Sequence, residues 1–278
     1  MSKVTVNGDT NLVADNIKSG ISIFGVSGTY EGNGGASAED IIMKTISGSY
    51  TNDKITFIDD YAFRSCKSLT AVNFPAATTI GSNAFASCTS LTIAAIPAAT
   101  SIGERAFQSC YNLTSVSFPA VTFIGNAAFS GCTKLTSVSF PVATTIDERA
   151  FINCYFTTAS FPEAITIGSY AFSGCYSLTE VSFPAVTSIG ERAFLNCTKL
   201  TSVSFPVATT VGSGAFSSCS KLTTVDFPAA TTIGNSAFLY CKSLTTASFP
   251  VATTIGDNAF SACWSLTTAI FPAVTSIG

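Results

Sequence analysis

The chain repeats itself every 22 residues, and this period restricts the folds open to it more than any other feature. Its ten cysteines are spaced by 22 residues, with one step of 21. The ten prolines form a second column with the same period, and an Ala-Phe pair forms a third, from Ala62-Phe63 to Ala259-Phe260. Units of this length cannot bury an apolar face alone, so we expect them to stack as consecutive coils of a solenoid.

One unit reads L-x-x-V-x-F-P-x-x-T-x-I-G-x-x-A-F-x-x-C-x-x. Its first six residues, as in Leu113 to Phe118, alternate apolar and small polar side chains, which predicts one short parallel strand per coil. Proline ends that strand because it cannot donate to a ladder. The A-F-x-x-C stretch predicts one helical or 3₁₀ turn on the convex side, with Phe and Cys pointing inward. The predicted fold class is an α/β-type repeat solenoid.

Two further columns and one irregular coil give finer predictions. Glycine follows the Ile column in nine units, and Asp59 and Asp147 take the same slot. Because Asp tolerates positive φ better than most residues, we expect a left-handed turn at this slot. Threonine lies three residues after Pro in nine units, where its hydroxyl is expected to bond the backbone of the neighbouring coil. The coil from Cys154 to Pro162 lacks one residue, which predicts a local kink with Phe156 in place of the missing Leu.

The strand signature and the F-P-x-x-x-x-I-G-x-x-A-F-x-x-C pattern together resemble the BspA-like class of leucine-rich repeats. The resemblance covers about Ile55 to Gly278, with ten units in register. It implies a leucine-rich-repeat solenoid, which we place at residues 58–278. It also implies surface-exposed adhesion, contact with host or microbial cells, and no enzymatic activity in the repeats.

Residues 1–31 do not repeat and are expected to form a small N-terminal docking module. The stretch Asn16 to Tyr30 resembles a short motif of tail-fibre and other tail-associated proteins of phages that infect Gram-positive bacteria. The resemblance implies attachment to a larger tail assembly. The local patterns predict a strand at Val4 to Val6, a helix at Thr10 to Ser19 closed by Gly20, and a second strand at Ile21 to Phe24.

The sequence predicts a cap over the first coil of the repeat region but none over the last coil. Residues 32–36 are Gly-rich and predict a flexible linker. Residues 37–57 predict an N-terminal cap, in which a short helix after Ser37 to Asp40 covers the first coil and Tyr50 to Ile58 forms a degenerate half-turn. The sequence stops in mid-unit at Gly278 without a polar cap, so we expect either a fragment or an end covered by another subunit, including self-association.

Composition excludes several classes of function. The formal net charge of −3 and the pI of about 4.9 remove the electrostatic reason for a nucleic-acid partner. No apolar run reaches the roughly 20 residues of a membrane span, and residues 1–10 lack the features of a secretory signal. The expected location is a virion tail, or the cell surface or extracellular space.

The cysteines are expected to be buried free thiols. Stacked one coil apart, their Cβ atoms would lie about 4.8 Å from each other, beyond the roughly 3.5–4.5 Å that a disulfide prefers. No C-x-x-C pair offers a zinc site, and a chain without histidine provides no base for a cysteine nucleophile. We therefore predict no enzyme activity, metal or cofactor. The acidic pairs Glu39-Asp40, Asp59-Asp60 and Asp147-Glu148 are interpreted as structural, and the Glu-Arg pairs at 104–105, 148–149 and 191–192 as surface charges.

The two residues that follow each cysteine, which we call the rim, form the first candidate binding surface. Aromatic faces there could stack on sugar rings, and lysines could meet phosphates or carboxylates, as in teichoic acids or capsular glycans. The alternative is that they are solvated loop residues that keep the protein soluble. The large rim side chains are Lys67, Tyr111, Lys134, Tyr155, Tyr176, Lys199, Lys221, Lys242 and Trp264.

The outward side of the predicted strands, the concave face, forms the second candidate. It carries mostly Ser and Thr, with Asn73, Glu180 and Asp226 as exceptions. Such a face could hydrogen-bond a ligand over many coils, or its small polar side chains could simply tolerate strand crowding. Three functions stay open: a phage-tail-associated receptor-binding protein that contacts cell-surface polysaccharide or protein, a bacterial surface or secreted adhesin, and a structural spacer.

Overall fold

The computed structural model describes residues 47–278 and, before them, the backbone of two short strands, β1 (Ser22–Ile23) and β2 (Val26–Ser27). These two strands pair antiparallel, and β1 lies within the strand predicted at Ile21 to Phe24. The other predicted elements before residue 47 lie outside the described residues: the strand at 4–6, the helix at 10–19, the linker at 32–36, the cap helix after Ser37, and most of the phage-like motif.

Residues 47–278 form a stack of coils in register. The strands of the first ladder lie at the predicted strand signature of each coil. The pairs are parallel and 22 residues apart, as in Val203 with Val225. The stack confirms the predicted solenoid. The strands of this ladder are β3 (Gly48–Thr51), β5 (Leu69–Asn73), β7 (Ile93–Ala95), β9 (Ser115–Ser117), β12 (Thr158–Ser160), β14 (Glu180–Ser182), β16 (Ser202–Ser204), β18 (Thr224–Asp226), β20 (Thr246–Ser248) and β22 (Thr268–Ile270).

A second ladder, which the sequence analysis missed, runs through the residue pair that ends in the Ile column. It forms one uninterrupted sheet of eleven parallel strands along the described stack. Each coil therefore contributes two strand positions. The strands are β4 (Phe57–Ile58), β6 (Thr79–Ile80), β8 (Ser101–Ile102), β10 (Phe123–Ile124), β11 (Thr145–Ile146), β13 (Thr166–Ile167), β15 (Ser188–Ile189), β17 (Thr210–Val211), β19 (Thr232–Ile233), β21 (Thr254–Ile255) and β23 (Ser276–Ile277).

The first ladder is interrupted around the shortened coil. It divides into sheets of four, two and four strands, β3 to β9, β12 with β14, and β16 to β22. The coil between β9 and β12 contributes a single bridge, Ser139 to Ser160. The residue missing after Cys154 is compensated as predicted, because Phe156 is fully buried and packs edge-on against Phe151 and Phe172.

The convex segment contains turns at the predicted place, but with a different conformation from a helical or 3₁₀ turn. Cys88 donates its backbone N–H three residues back to Phe85, as in a 3₁₀ turn, whereas the N–H of Phe85 donates across to Ala106 of the next coil at 2.7 Å. This alternation needs two residues per coil at positive φ, as at Asn83 and Ser87. Half of the convex N–H groups thus bind within a coil and half bind between coils, which no continuous helix could do.

The glycine column does not adopt the predicted left-handed turn, and the reason for glycine there is close approach. The residues with positive φ lie elsewhere in the repeat. A Cβ built on Gly212 would lie 2.6 Å from the carbonyl carbon and 2.7 Å from the carbonyl oxygen of Gly190. Consecutive coils therefore touch backbone to backbone at this column. Asp147 keeps a side chain in the column next to the shortened coil, and its carboxylate accepts the N–H of Glu148 at 2.7 Å.

The core consists of side-chain columns that meet their own copies in the next coil. Phenylalanines of the Ala-Phe pair stack nearly parallel along the coils, as for Phe129 and Phe151 with ring centroids 5.2 Å apart and planes 1° apart. A second column, from the F-P pair, packs against the first at tilted or edge-on angles, as for Phe151 and Phe161. Offset stacks and tilted contacts are both favourable for aromatic pairs. At the N-terminal side Tyr50 lies over Phe63 and Phe74, so the degenerate half-turn joins the core.

Two threonine columns bond the coils at their edges. The predicted column is confirmed in all nine units, as where the Thr209 hydroxyl donates to the carbonyl of Thr187 at 3.2 Å. A second column after the Leu position does the same, as where Thr223 donates to Thr201 at 3.0 Å. The sequence analysis missed this second column, although its period is equally visible.

The close approach at the glycine column predicts that Gly212→Ala destabilises the stack more than Gly131→Ala. The methyl group added at position 212 would meet backbone atoms of the preceding coil, which cannot rotate away. We therefore expect a loss of about 2–3 kcal/mol in the free energy of unfolding. Gly131 has a φ of 74° and its nearest neighbour to an added Cβ is 3.7 Å away, in Tyr111. Its substitution is expected to cost about 1 kcal/mol through backbone strain alone. Urea unfolding measures both, and an equal or larger loss for Gly131→Ala would contradict the close-approach account.

Candidate binding surfaces

The cysteine column is buried, and its thiols are hydrogen-bonded. All ten cysteines are free, nine of them fully buried, which confirms the prediction of buried free thiols. From Cys88 onward each thiol donates to the carbonyl of the Phe in the preceding coil, with S···O distances of 2.9–3.3 Å. The column thus adds a bond between coils that the sequence analysis did not foresee.

Burial keeps these thiols protonated. It raises the pKa of Cys110 and of Cys175 to about 12, and it holds the pKa of Cys132 well above its ordinary value. A thiol needs to ionise before it can act as a nucleophile or a metal ligand. Cys263, at the C-terminal side, is half-buried, and its pKa is lowered by its interaction with the neighbouring Cys241 thiol.

The charged pairs on the convex side are exposed and local. Arg105 pairs with Glu104 at 2.9 Å and Arg192 pairs with Glu191 at 2.6 Å, in both cases between neighbours in sequence. Arg149 and Glu148 pair in the same way. Such exposed pairs contribute little stability. They agree with the interpretation of these residues as surface charges.

Tyr170 joins two of these pairs into a cluster that the sequence analysis missed. The guanidinium of Arg149 lies 5.1 Å from the centre of the Tyr170 ring, and that of Arg192 lies 5.6 Å from it. Arg192 also donates to the Tyr170 hydroxyl at 2.5 Å. The three residues occupy one column in three consecutive coils. That shared slot in the repeat could have revealed the cluster.

The aromatic and lysine side chains named for the rim are solvent-exposed, whereas Phe156, which also follows a cysteine, is buried in the core. Trp264 is 74% exposed, and Tyr111, Tyr155 and Tyr176 are between 41% and 49% exposed. All five rim lysines are exposed as well. The structure brings two pairs into contact: the rings of Tyr155 and Tyr176 lie 6.0 Å apart, and the Lys242 ammonium lies 5.0 Å from the centre of the Trp264 ring.

The three residues of the concave face that are not Ser or Thr, and that were predicted as candidates, do not lie together in one site. Asn73, Glu180 and Asp226 are exposed on β5, β14 and β18, and several coils separate Asn73 from the other two. Asp226 accepts a hydrogen bond from Ser204 at 3.4 Å.

A shallow cleft of about 370 Å³ opens on this face between β14 and β16, where the first ladder is interrupted. Val181, Val203, Ser204 and Asp226 are among the residues that line it. The cleft is apolar and hydroxyl-lined with a single carboxylate, so it offers few groups that could select a ligand.

Residues 47–278 are thus a stacked solenoid with repeating exposed surfaces around a buried apolar core. Within residues 47–278 no group of three or more Cys, Asp and Glu side chains is arranged to hold a metal ion. In the same part of the chain no helix could cross a membrane.

The chain belongs to the family of BspA type leucine rich repeats. The family model matches residues 45–157, 100–206 and 165–278, which together include all the coils described above. Proteins with this repeat are typically bacterial surface proteins, and the family suggests protein binding or adhesion. Comparison with curated proteins gives no match.

Several solved bacterial structures are similar to this chain. A leucine rich cell surface protein of Faecalibacterium prausnitzii is 25% identical, with 82% of this chain and 89% of that protein covered and a TM-score of 0.38. A leucine-rich repeat protein of Eubacterium ventriosum is 22% identical, with 82% and 73% covered and a TM-score of 0.49. One of Bacteroides ovatus is 22% identical, with 84% and 85% covered and a TM-score of 0.35. Because these TM-scores are below 0.5, the family assignment rests on the sequence match.

The raised thiol pKa values predict that the protein loses stability in alkaline solution. Below about pH 8.5 a thiol is protonated in both the folded and the unfolded chain and adds no pH dependence. Above that pH the unfolded chain releases thiol protons that Cys110 and Cys175 keep up to about pH 12. The free energy of unfolding should then fall by about 1.4 kcal/mol per pH unit for each fully buried thiol.

Urea unfolding between about pH 7 and pH 10.5 measures this dependence. The matched control is the double variant Cys110→Ala, Cys175→Ala, which lacks two of the contributing groups. It should be less stable at pH 7 and show a shallower decline above about pH 8.5. Parallel declines in the two proteins would show that these thiols ionise in the fold.

Proposed function

We propose that this chain is a non-enzymatic binding protein that attaches to cell-surface glycans or proteins through its rim. The observation that carries the proposal is the continuity of that surface. Each of the eight consecutive coils from Tyr111 to Trp264 contributes one exposed aromatic or lysine side chain to it. Because the coils are stacked in register, these side chains form one strip, about 34 Å long at roughly 4.8 Å per coil.

The chemistry of the rim suits adhesion better than catalysis. Exposed tyrosine and tryptophan rings offer flat apolar faces with a polar edge, which fit sugar rings and protein surfaces alike. No histidine is present in the chain, and the sulfhydryl groups with raised pKa lie in the core. The lysines are exposed and hydrated, so they act as charges for recognition.

Two biological settings fit this activity. In the first, the protein is associated with a phage tail, its N-terminal module (residues 1–31) docks to the tail assembly, and the solenoid contacts the host receptor. The motif from Asn16 to Tyr30 favours this setting. In the second, it is a bacterial surface or secreted adhesin, which the membership of the BspA type family favours. Tail and baseplate genes beside the reading frame would support the first, and an export signal or wall anchor would support the second.

Removing three rim aromatics should weaken attachment without unfolding the protein. The variant Tyr111→Ala, Tyr176→Ala, Trp264→Ala deletes exposed rings, so its Tm should stay within about 2 °C of the parent while binding to intact bacterial cells falls by at least about tenfold. Flow cytometry of the labelled protein on a panel of cells measures binding.

The matched control deletes three exposed aromatics outside the rim, in Phe57→Ala, Tyr61→Ala, Phe123→Ala. These side chains are between 41% and 60% exposed, and their removal should leave attachment unchanged. Equal attachment of the rim variant and the parent protein would refute a binding role for the rim and favour a structural spacer.

A further inference from the structure

Charge is segregated on this protein, and the rim carries only one sign. The chain as a whole is acidic, yet five of the six lysines between residues 47 and 278 lie on the rim. None of the residues at the two rim positions of any coil is Asp or Glu. The rim is therefore a cationic strip on an acidic molecule, which concentrates anions locally in spite of the net charge.

The rim lysines also differ from the arginines in their partners. Arg105, Arg149 and Arg192 each pair with the glutamate beside them. Among the described residues, no rim lysine forms a salt bridge with a carboxylate; Lys242 instead lies over the Trp264 ring. These cations are thus available to an external anion.

Three of the lysines lie in consecutive coils. Lys199 and Lys221 are the second residue after their cysteines, and Lys242 is the first residue after Cys241, so the stack of coils places like charges on neighbouring coils of the rim. Like charges held on neighbouring coils repel one another. An anionic polymer along the rim would relieve this repulsion at all three coils, whereas a single small anion would relieve it at one.

The aromatic residues add a second requirement to the ligand. Tyr155 and Tyr176 lie just before this run of lysines, and Trp264 lies at its end. Their exposed rings provide stacking faces on both sides of the cations. A ligand that uses the whole strip needs rings with an apolar face as well as negative charges.

We propose that the rim binds an anionic polysaccharide lying along the axis of the stack, with its acidic groups on the lysines and its sugar rings on Tyr155, Tyr176 and Trp264. This inference rests on the proposed function and names the chemical class of its ligand. A nucleic acid would match less well, because the rim contains no arginine, the residue best suited to phosphate and base recognition. A neutral polysaccharide would leave the lysines without a role.

The test compares the full chain with two variants that lose the same charge. The rim variant is Lys134→Gln, Lys199→Gln, Lys221→Gln, Lys242→Gln. The control is Lys54→Gln, Arg105→Gln, Arg149→Gln, Arg192→Gln, in which the cations lie off the rim. Binding is measured by biolayer interferometry to polygalacturonate as the anionic polysaccharide, to dextran as a neutral one, and to oligo-deoxythymidylate as a nucleic acid. Circular dichroism checks that both variants keep the fold.

We expect the parent protein to prefer polygalacturonate over dextran and oligo-deoxythymidylate by at least about tenfold. The rim variant should lose at least about tenfold in affinity and the control less than about twofold, and raising NaCl from about 50 mM to about 500 mM should weaken the parent at least about tenfold. Equal loss in both variants, a preference for dextran, or tighter binding to the oligonucleotide would each overturn the inference. If the aromatic variant fails to attach to cells while the lysine variant attaches normally, the rim is the binding surface and the anionic ligand is wrong.

Discussion

Register between coils is the constraint on which the rest of the structure depends. The backbone of one coil bonds the next through two parallel ladders, through alternate N–H groups of the convex segment, and through threonine and cysteine side chains that donate to carbonyls of the preceding coil. At the glycine column the coils touch backbone to backbone. A shift of one residue would break all of these contacts together and would move the inward side chains of the strands to the wrong face.

This register turns every position of the repeat into a column, and that explains both the core and the surface. Inside, identical phenylalanines stack on one another and identical thiols bond one carbonyl after another, so each interface between coils resembles the last. Outside, any residue type that recurs becomes a strip whose length grows with the number of coils. The rim is the strip best suited to bind a ligand. It carries tyrosine, tryptophan and lysine side chains, and no acidic residue lies among them.

The strict repeat made part of the structure predictable. The first ladder, the inward Phe and Cys columns, the threonine bonds and the role of Phe156 followed from the period and from the alternation of polar and apolar residues. The second ladder was missed because its strands are only two residues long, too short to show an alternation. The reason predicted for the glycine column was wrong. Asp in the same slot suggested a positive φ, but glycine is needed because the backbone contacts the preceding coil, as at Gly212.

The sequence by itself determined that the chain stacks in coils of 22 residues, which side chains face inward, and which family the repeat belongs to, because a strict period fixes the chemical environment of every position. Only the tertiary structure decided which neighbours meet. It paired Tyr155 with Tyr176, placed Tyr170 between two arginines, and opened the cleft between β14 and β16. The physical reason is that such contacts depend on distances between coils and on the bends of the backbone within each coil, which a pattern of residue types does not specify.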